Sequence, residues 1–277
     1  MPERPDSALE EFLRRDRWLL LLCLLALCAL AWAYVVSGAR MGASAWEMTS
    51  FALFPHAHSA GLEASMAGMD MRPTLDLGSW ALLAGMWVAM MVAMMAPAAT
   101  PAILLYGRVH RHSLPLARAP VASFALGYLA MWSAVSLLLA ALQLWLERLG
   151  TVSTMSMGLH NRWAAGSLLV LAGLYQFTPL KHACLAHCRS PVSFLTTHFR
   201  AGAGGAFVLG LRHGAYCVGC CWLLMALLFV GGVMNLAWIG AIGALVLLEK
   251  LAAPGRAIGI GVGLLLIAWG IATFFVR

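Results

Sequence analysis

From Ala201 to Leu248 the chain carries one formal charge, Arg212, and from Trp18 to Val36 it carries none. A helix crosses the hydrocarbon core of a bilayer with about 20 apolar residues, so uncharged runs of this length read as membrane spans. The composition agrees. Of 277 residues 62% are hydrophobic and 10% charged, with a mean hydropathy of +0.85, whereas an ordinary soluble domain is about a quarter charged. The fold class read from these features is all-α, a polytopic transmembrane helical bundle.

The division predicts seven spans. The first is Trp18 to Val36, an uncleaved helix behind a polar leader that contains Arg14, Arg15 and Arg17; no small-residue cleavage site follows it, although a signal peptide stays open as an alternative. The second runs from about Trp80 to Tyr106, with Pro97 and Pro101 expected to kink its later turns. The third lies between Pro120 and Trp145, and the fourth runs from Trp163 to Thr178, ended by Pro179. Ala201 to Leu248 is long enough for two helices with Gly231 and Gly232 between them, read as an antiparallel hairpin forming spans five and six. Ala257 to Val276 is the seventh. The resulting organisation is a leader (1–17), the first helix (18–36), a loop rich in Gly, Ala and Met (37–79), a core (80–250) and a last helix (251–277).

The chain has 2 lysines and 16 arginines, and these are too scattered for a nucleic-acid surface. Their placement between spans reports orientation instead. Arg4, Arg14, Arg15, Arg17, Arg108, Arg111, Arg118, Lys181, Arg189, Arg200, Lys250 and Arg256 fall on one side, against Arg40, Arg72, Arg148, Arg162 and Arg277 on the other. The expectation is a cytoplasmic N-terminus, an outward-facing 37–79 loop and a multi-pass protein of the bacterial inner membrane. Arg212 is left inside span five, where it can snorkel to nearby headgroups with His213 as an interface anchor.

Seven Cys, nine His and sixteen Met form an unusual store of soft ligands, and four groupings stand out. Met86, Met90 and Met94 share one helical stripe and Met91 and Met95 the adjacent one; thioethers select Cu(I), although Met is also an adaptable packing residue. Cys217, Cys221 and Met225 stack on one face of span five with Cys220 beside them, at a depth matching Met90 and Met91 if rise is counted at about 1.5 Å per residue. These could equally be small fillers, and Gly219 permits close helix approach. His182, Cys184, His187 and Cys188 form a dense set suited to Cu(I) or zinc, with the C-x3-C spacing looser than in most structural zinc sites; the alternative is an interfacial turn against lipid headgroups. In the loop, His56, His58, Met66, Met69 and Met71 offer mixed ligands near Glu63 and Asp70. Cys23 and Cys28 do not share a face and read as filler. Glu249 and Lys250, at the end of span six, are either self-paired or helix-capping, or else functional. Zinc-protease, nucleotide-binding and serine-hydrolase motifs are absent, so an enzyme is not the expectation.

The order MWVAMMVAMMAP, GLYQFTPLKHACLAHCRSP, GAYCVGCCWLLMALLFVGGVMNLAW and a closing EK resembles the bacterial family of predicted metal-binding integral membrane proteins, over about Trp80 to Lys250. The resemblance implies metal roles for Met86, Met90, Met91, Met94, Met95, Cys184, Cys188, Cys217, Cys220 and Cys221. The functional expectation is a membrane protein that binds a soft metal, Cu(I) before zinc, and transports or delivers it across the inner membrane. The lipid bilayer and a metal ion are its expected partners, with a metallochaperone or partner membrane subunit as a further one. A non-catalytic accessory subunit and a membrane thiol oxidoreductase are the alternatives. The depth match adds a geometric expectation, that spans two and five are neighbours with Met90, Met91 or Met94 facing Cys217 or Cys221.

Overall fold

The computed structural model describes residues 6–39, 44–51, 77–113, 119–154, 156–198 and 202–276. In chain order the helices are α1 (Asp6–Val36), α2 (Leu77–Ser113), α3 (Ala119–Arg148), α4 (Arg162–Tyr175), α5 (Pro179–Arg189), α6 (Pro191–His198), α7 (Gly202–Ala226), α8 (Leu228–Gly231), α9 (Leu236–Leu251) and α10 (Gly255–Phe275). The protein is all-α and built as a multi-pass membrane protein. Among the described residues, Trp18–Val36, Leu77–Val109, Pro120–Arg148, Gly202–Gly231 and Gly255–Phe275 are each long and apolar enough to cross a bilayer.

Seven spans is therefore corrected to five or six. The expected fourth span is broken: α4 and α5 meet at a bend of 64° and make a sixth crossing only if taken together. Pro179 disfavours helical backbone at the residue before it, and Thr178 accordingly sits at φ −72°, ψ 143° and caps α5 by accepting from the Lys181 amide. The expected sixth span, α9, has 16 residues, or about 24 Å of helix against the roughly 30 Å of a hydrocarbon core. The hairpin reading is corrected with it. Gly231 and Gly232 do lie at the turn, Gly232 at φ +91°, but α9 packs mainly on α2 and α10 rather than along α7.

α2 runs unbroken through Pro97 and Pro101. Pro97 has no amide to offer the Ala93 carbonyl one turn earlier, and Cys28 Sγ approaches that oxygen at 3.6 Å. Cys28 is thus more than filler.

The centre of the bundle is the crossing of α3 and α7, the most extensive helix pair. It is a glycine contact. A Cβ on Gly210 would lie 2.0 Å from the Phe124 carbonyl oxygen, and one on Gly127 would lie 2.1 Å from that of Phe207, so only glycine lets the two backbones approach this closely. α1 stands at the edge on α2 with Leu22, Leu25 and Leu30 exposed, an apolar outer face suited to lipid.

The connections sort to two ends. At one, the Asn235 side-chain amide donates to the Ser50 carbonyl (2.8 Å), the Leu159 backbone amide to Phe229 O (2.7 Å) and that of Val233 to Met157 O (3.3 Å). At the other, Arg189 of α5 donates to the carbonyls of Glu249 (3.2 Å), Ala252 (2.8 Å) and Ala253 (3.0 Å), closing the end of α9.

Candidate metal site

The 64° bend brings α5 across α7, and two sulfur clusters about thirty residues apart in sequence become one. Cys184 lies directly on Gly219: a Cβ there would stand 2.7 Å from Cys184 Sγ. The Tyr175 hydroxyl donates to the Gly219 carbonyl and secures the same contact from α4. One turn further, Cys188 stands beside Cys220. Within α7 the Cys220 and Cys221 thiols both donate to the Cys217 carbonyl, at 3.1 and 2.9 Å. Cys217, Cys220, Cys221 and Met225 are buried, whereas Cys184 and Cys188 keep partial exposure.

Cys217 carries the polar contacts. The Lys250 ammonium donates to its sulfur at 2.8 Å and the Tyr128 hydroxyl lies 3.1 Å from it. Tyr128 also donates to the Met95 carbonyl at 3.1 Å, so a residue of α3 joins the thiols to the methionine-bearing helix. Cys220 neighbours Cys188, Cys217 and Cys221, and Cys217 neighbours Cys221. Among the described residues no three Cys, His, Asp or Glu side chains converge on a point as in a preformed multidentate centre.

Glu249 and Lys250 are not paired with each other. Glu249 turns to Lys181 of α5, with Nζ at 2.7 and 3.0 Å from its two oxygens, while Lys181 also donates to Gln176 Oε1. Consecutive residues of α9 thereby grip both thiol-bearing helices, α5 through an ion pair and α7 through sulfur. Lys181 and Lys250 are the only lysines in the chain, and their accessibilities are 1% and 6%. Buried lysines are rare without a partner, so that count was a signal available in the sequence.

The remaining candidates fall into three groups. Met86, Met90, Met91, Met94 and Met95 are all buried on α2; Met94 packs on Gly243 of α9, where a Cβ would lie 3.6 Å from its Cγ. The expectation that α2 and α7 are direct neighbours is corrected: α3 packs along both, and its Tyr128 bridges them, because the glycine crossing draws α7 to α3. His182 and His187 are half-buried, and His187 bonds to the Ala183 carbonyl (2.8 Å) and stacks on Tyr216 with ring centroids 4.2 Å apart. His56 and His58, with Met66, Met69 and Met71, lie outside the described residues.

Two further residues escaped the sequence reading. Tyr128 carries no local motif. His213, expected to anchor at the interface, is buried among Phe124, Tyr128 and Phe194, and its Nδ1 has no hydrogen-bond partner among the described residues. It precedes Cys217 by four residues, so His213, Cys217, Cys221 and Met225 form one helical stripe.

An all-helical bundle of membrane-crossing length whose thiols gather at a buried lysine is a membrane protein equipped for a thiophilic metal. Residues 84–273 match the PpoB2 family, described as copper chaperones, and the chain belongs to that family. The match begins inside α2 and continues almost to the end of α10, past the Lys250 at which the resemblance above stops. Membership implies copper binding. No curated protein and no solved structure matches the chain.

Proposed function

We propose that this protein binds Cu(I) at the thiols of α5 and α7 and passes it across the bacterial inner membrane to a recipient protein. The observation that carries this reading is the junction of α5 with α7, which places Cys184 on Gly219 and Cys188 on Cys220. Thiolates and thioethers prefer Cu(I) to harder ions, and sulfurs in successive contact suit a cargo that changes ligands step by step. Each step exchanges one copper–sulfur bond for another, and the metal keeps its oxidation state.

The methionines of α2 and Met225 are the apolar stretch of the path, with Tyr128 linking that stretch to Cys217. Cys184 and Cys188, partly exposed, are the transfer point, with His182 and His187 beside them. The excess of basic residues around the N-terminus and α5 supports a cytoplasmic side for both. His56 and His58 serve capture on the opposite side.

Copper stoichiometry tests the reading. Full-length protein purified in detergent without oxygen should hold about one Cu(I) per chain against a competing chromophoric chelator, in keeping with a site built of soft donors. Replacing Cys188 and Cys220 together by Ser should remove it. A folded wild-type protein that binds no Cu(I) under these conditions ends the proposal. If the same protein instead forms a Cys188–Cys220 disulfide that exchanges with dithiols, thiol oxidoreductase chemistry takes its place.

A further inference from the structure

A buried ammonium beside the proposed copper ligands is at first sight a mistake, because Lys250 brings a positive charge to a place meant to receive a cation. Among the described residues no carboxylate pairs with it. Glu249, the adjacent carboxylate, is engaged by Lys181 at 2.7 Å, and the nearest groups on Lys250 are the Cys217 sulfur and, beyond it, the Tyr128 hydroxyl. A buried ion persists when an opposite charge accompanies it. The groups placed to supply negative charge here are the cysteine sulfurs.

We propose that Lys250 sets the charge of the metal that the thiol row accepts, so that two thiolates, one monovalent soft ion and one ammonium sum to zero. This inference rests on the copper reading above and adds the selectivity of the site. Metal binding forms two metal–sulfur bonds, the thiol protons leave to bulk water, and no electron moves. A divalent ion on the same two sulfurs would leave one net positive charge in a buried site, at a cost that grows as the dielectric falls. Among the described residues no three Cys, His, Asp or Glu side chains form a group that could hold a metal, and two-donor coordination is one that monovalent soft ions accept and zinc or cadmium does not. Lys250, already donating to sulfur, stays outside the metal's own ligand shell. It is a positioning and charge-matching residue, not a ligand.

Ag(I) and Cd(II) separate charge from softness, since both seek thiolates and they differ in valence. Full-length wild-type protein in detergent, without oxygen, should take up stoichiometric Ag(I) and leave equimolar Cd(II) unbound. Lys250→Met, close in volume and apolar, should raise Cd(II) affinity relative to Ag(I) on the order of tenfold to a hundredfold, as expected for removing a unit charge a few ångströms away. Lys250→Arg, which keeps the charge, should retain the wild-type preference. Stoichiometric Cd(II) binding by the wild type overturns the inference without any variant, and so does an unchanged ratio in Lys250→Met. Should Lys250→Met fail to fold, the wild-type measurement and Lys250→Arg still decide. Failure of the folded wild type to bind either Ag(I) or Cu(I) is a different result, and it removes the copper reading itself.

Discussion

The methionines of α2 and the cysteines of α5 and α7 are both buried sulfur on helices, and they differ in what touches them. Around Met86, Met90, Met91, Met94 and Met95 the structure places close apolar packing, such as Gly243 against Met94. Around Cys217 it places an ammonium and a phenol. Apolar packing is what any core requires, and a thioether fills it adaptably. A buried charge has no such general use: it is costly unless partnered, and among the described residues it stands at the cysteines and not at the methionines. On the same helix, Trp87 Nε1 donates to Gln143 and Gln143 to Glu147, each at 2.7 Å, a polar chain that holds a tryptophan.

The contrast breaks most directly at Cys217 and Cys221. Their joint replacement by Ser should lower bound Cu(I) from about one equivalent to none, since hydroxyls do not replace thiolates for a soft ion. The folded protein should stay in the membrane, because Ser is tolerated at helix contacts. Full copper retention in this variant would shift the binding to Cys184 and Cys188.

Next in size is the ion pair that holds α5 over α7. Lys181→Met leaves Glu249 buried without its partner, and unpaired buried charges cost about 3–5 kcal/mol, so thermal unfolding in detergent should begin well below that of the wild type. Adding Glu249→Met should recover most of the loss. A double variant as unstable as the single one would mean that the pair does more than neutralise charge.

Replacing Met90 and Met94 together by Leu sharpens the comparison from the other side. Near volume-conserving exchanges cost less than about 1.5 kcal/mol each, and copper bound at the thiols should be unchanged. Transfer of copper across proteoliposome membranes should fall several-fold, since two thioethers of the path are gone. An unaltered rate would leave these residues as packing alone. The smallest effect belongs to Cys28→Ala, which removes a weak contact to the Ala93 carbonyl: a loss of about 1 kcal/mol or less, read as a slight drop in melting temperature, with copper binding untouched.

The copper-binding character was legible early, because soft donors at helical spacing keep their spacing in any helical fold. Cys217, Cys221 and Met225 share a face in the sequence and share it in the structure. The proposed loop ligands at 56 and 58 lie outside the described residues. The span count erred where length and direction were decided by single residues: Pro179 turns the chain and ends α4 after 14 residues, and α9 stops at 16. Of the alternatives for Glu249 and Lys250, self-pairing fails for a related reason. Neighbours in sequence on a helix point about 100° apart, so each side chain answers to a different neighbouring helix.

The sequence by itself determined that this chain is a helical membrane protein, since hydropathy is additive along the chain and uncharged runs of this length have few other uses. It also determined that sulfur would line its helices. Which sulfurs meet was decided only by tertiary structure. Cys188 reaches Cys220 because a proline turns α5, a glycine at 219 admits Cys184, and two buried lysines 69 residues apart tie α9 to α5 and to α7. Contacts of that kind depend on the distance of closest approach between helices, which local spacing does not encode.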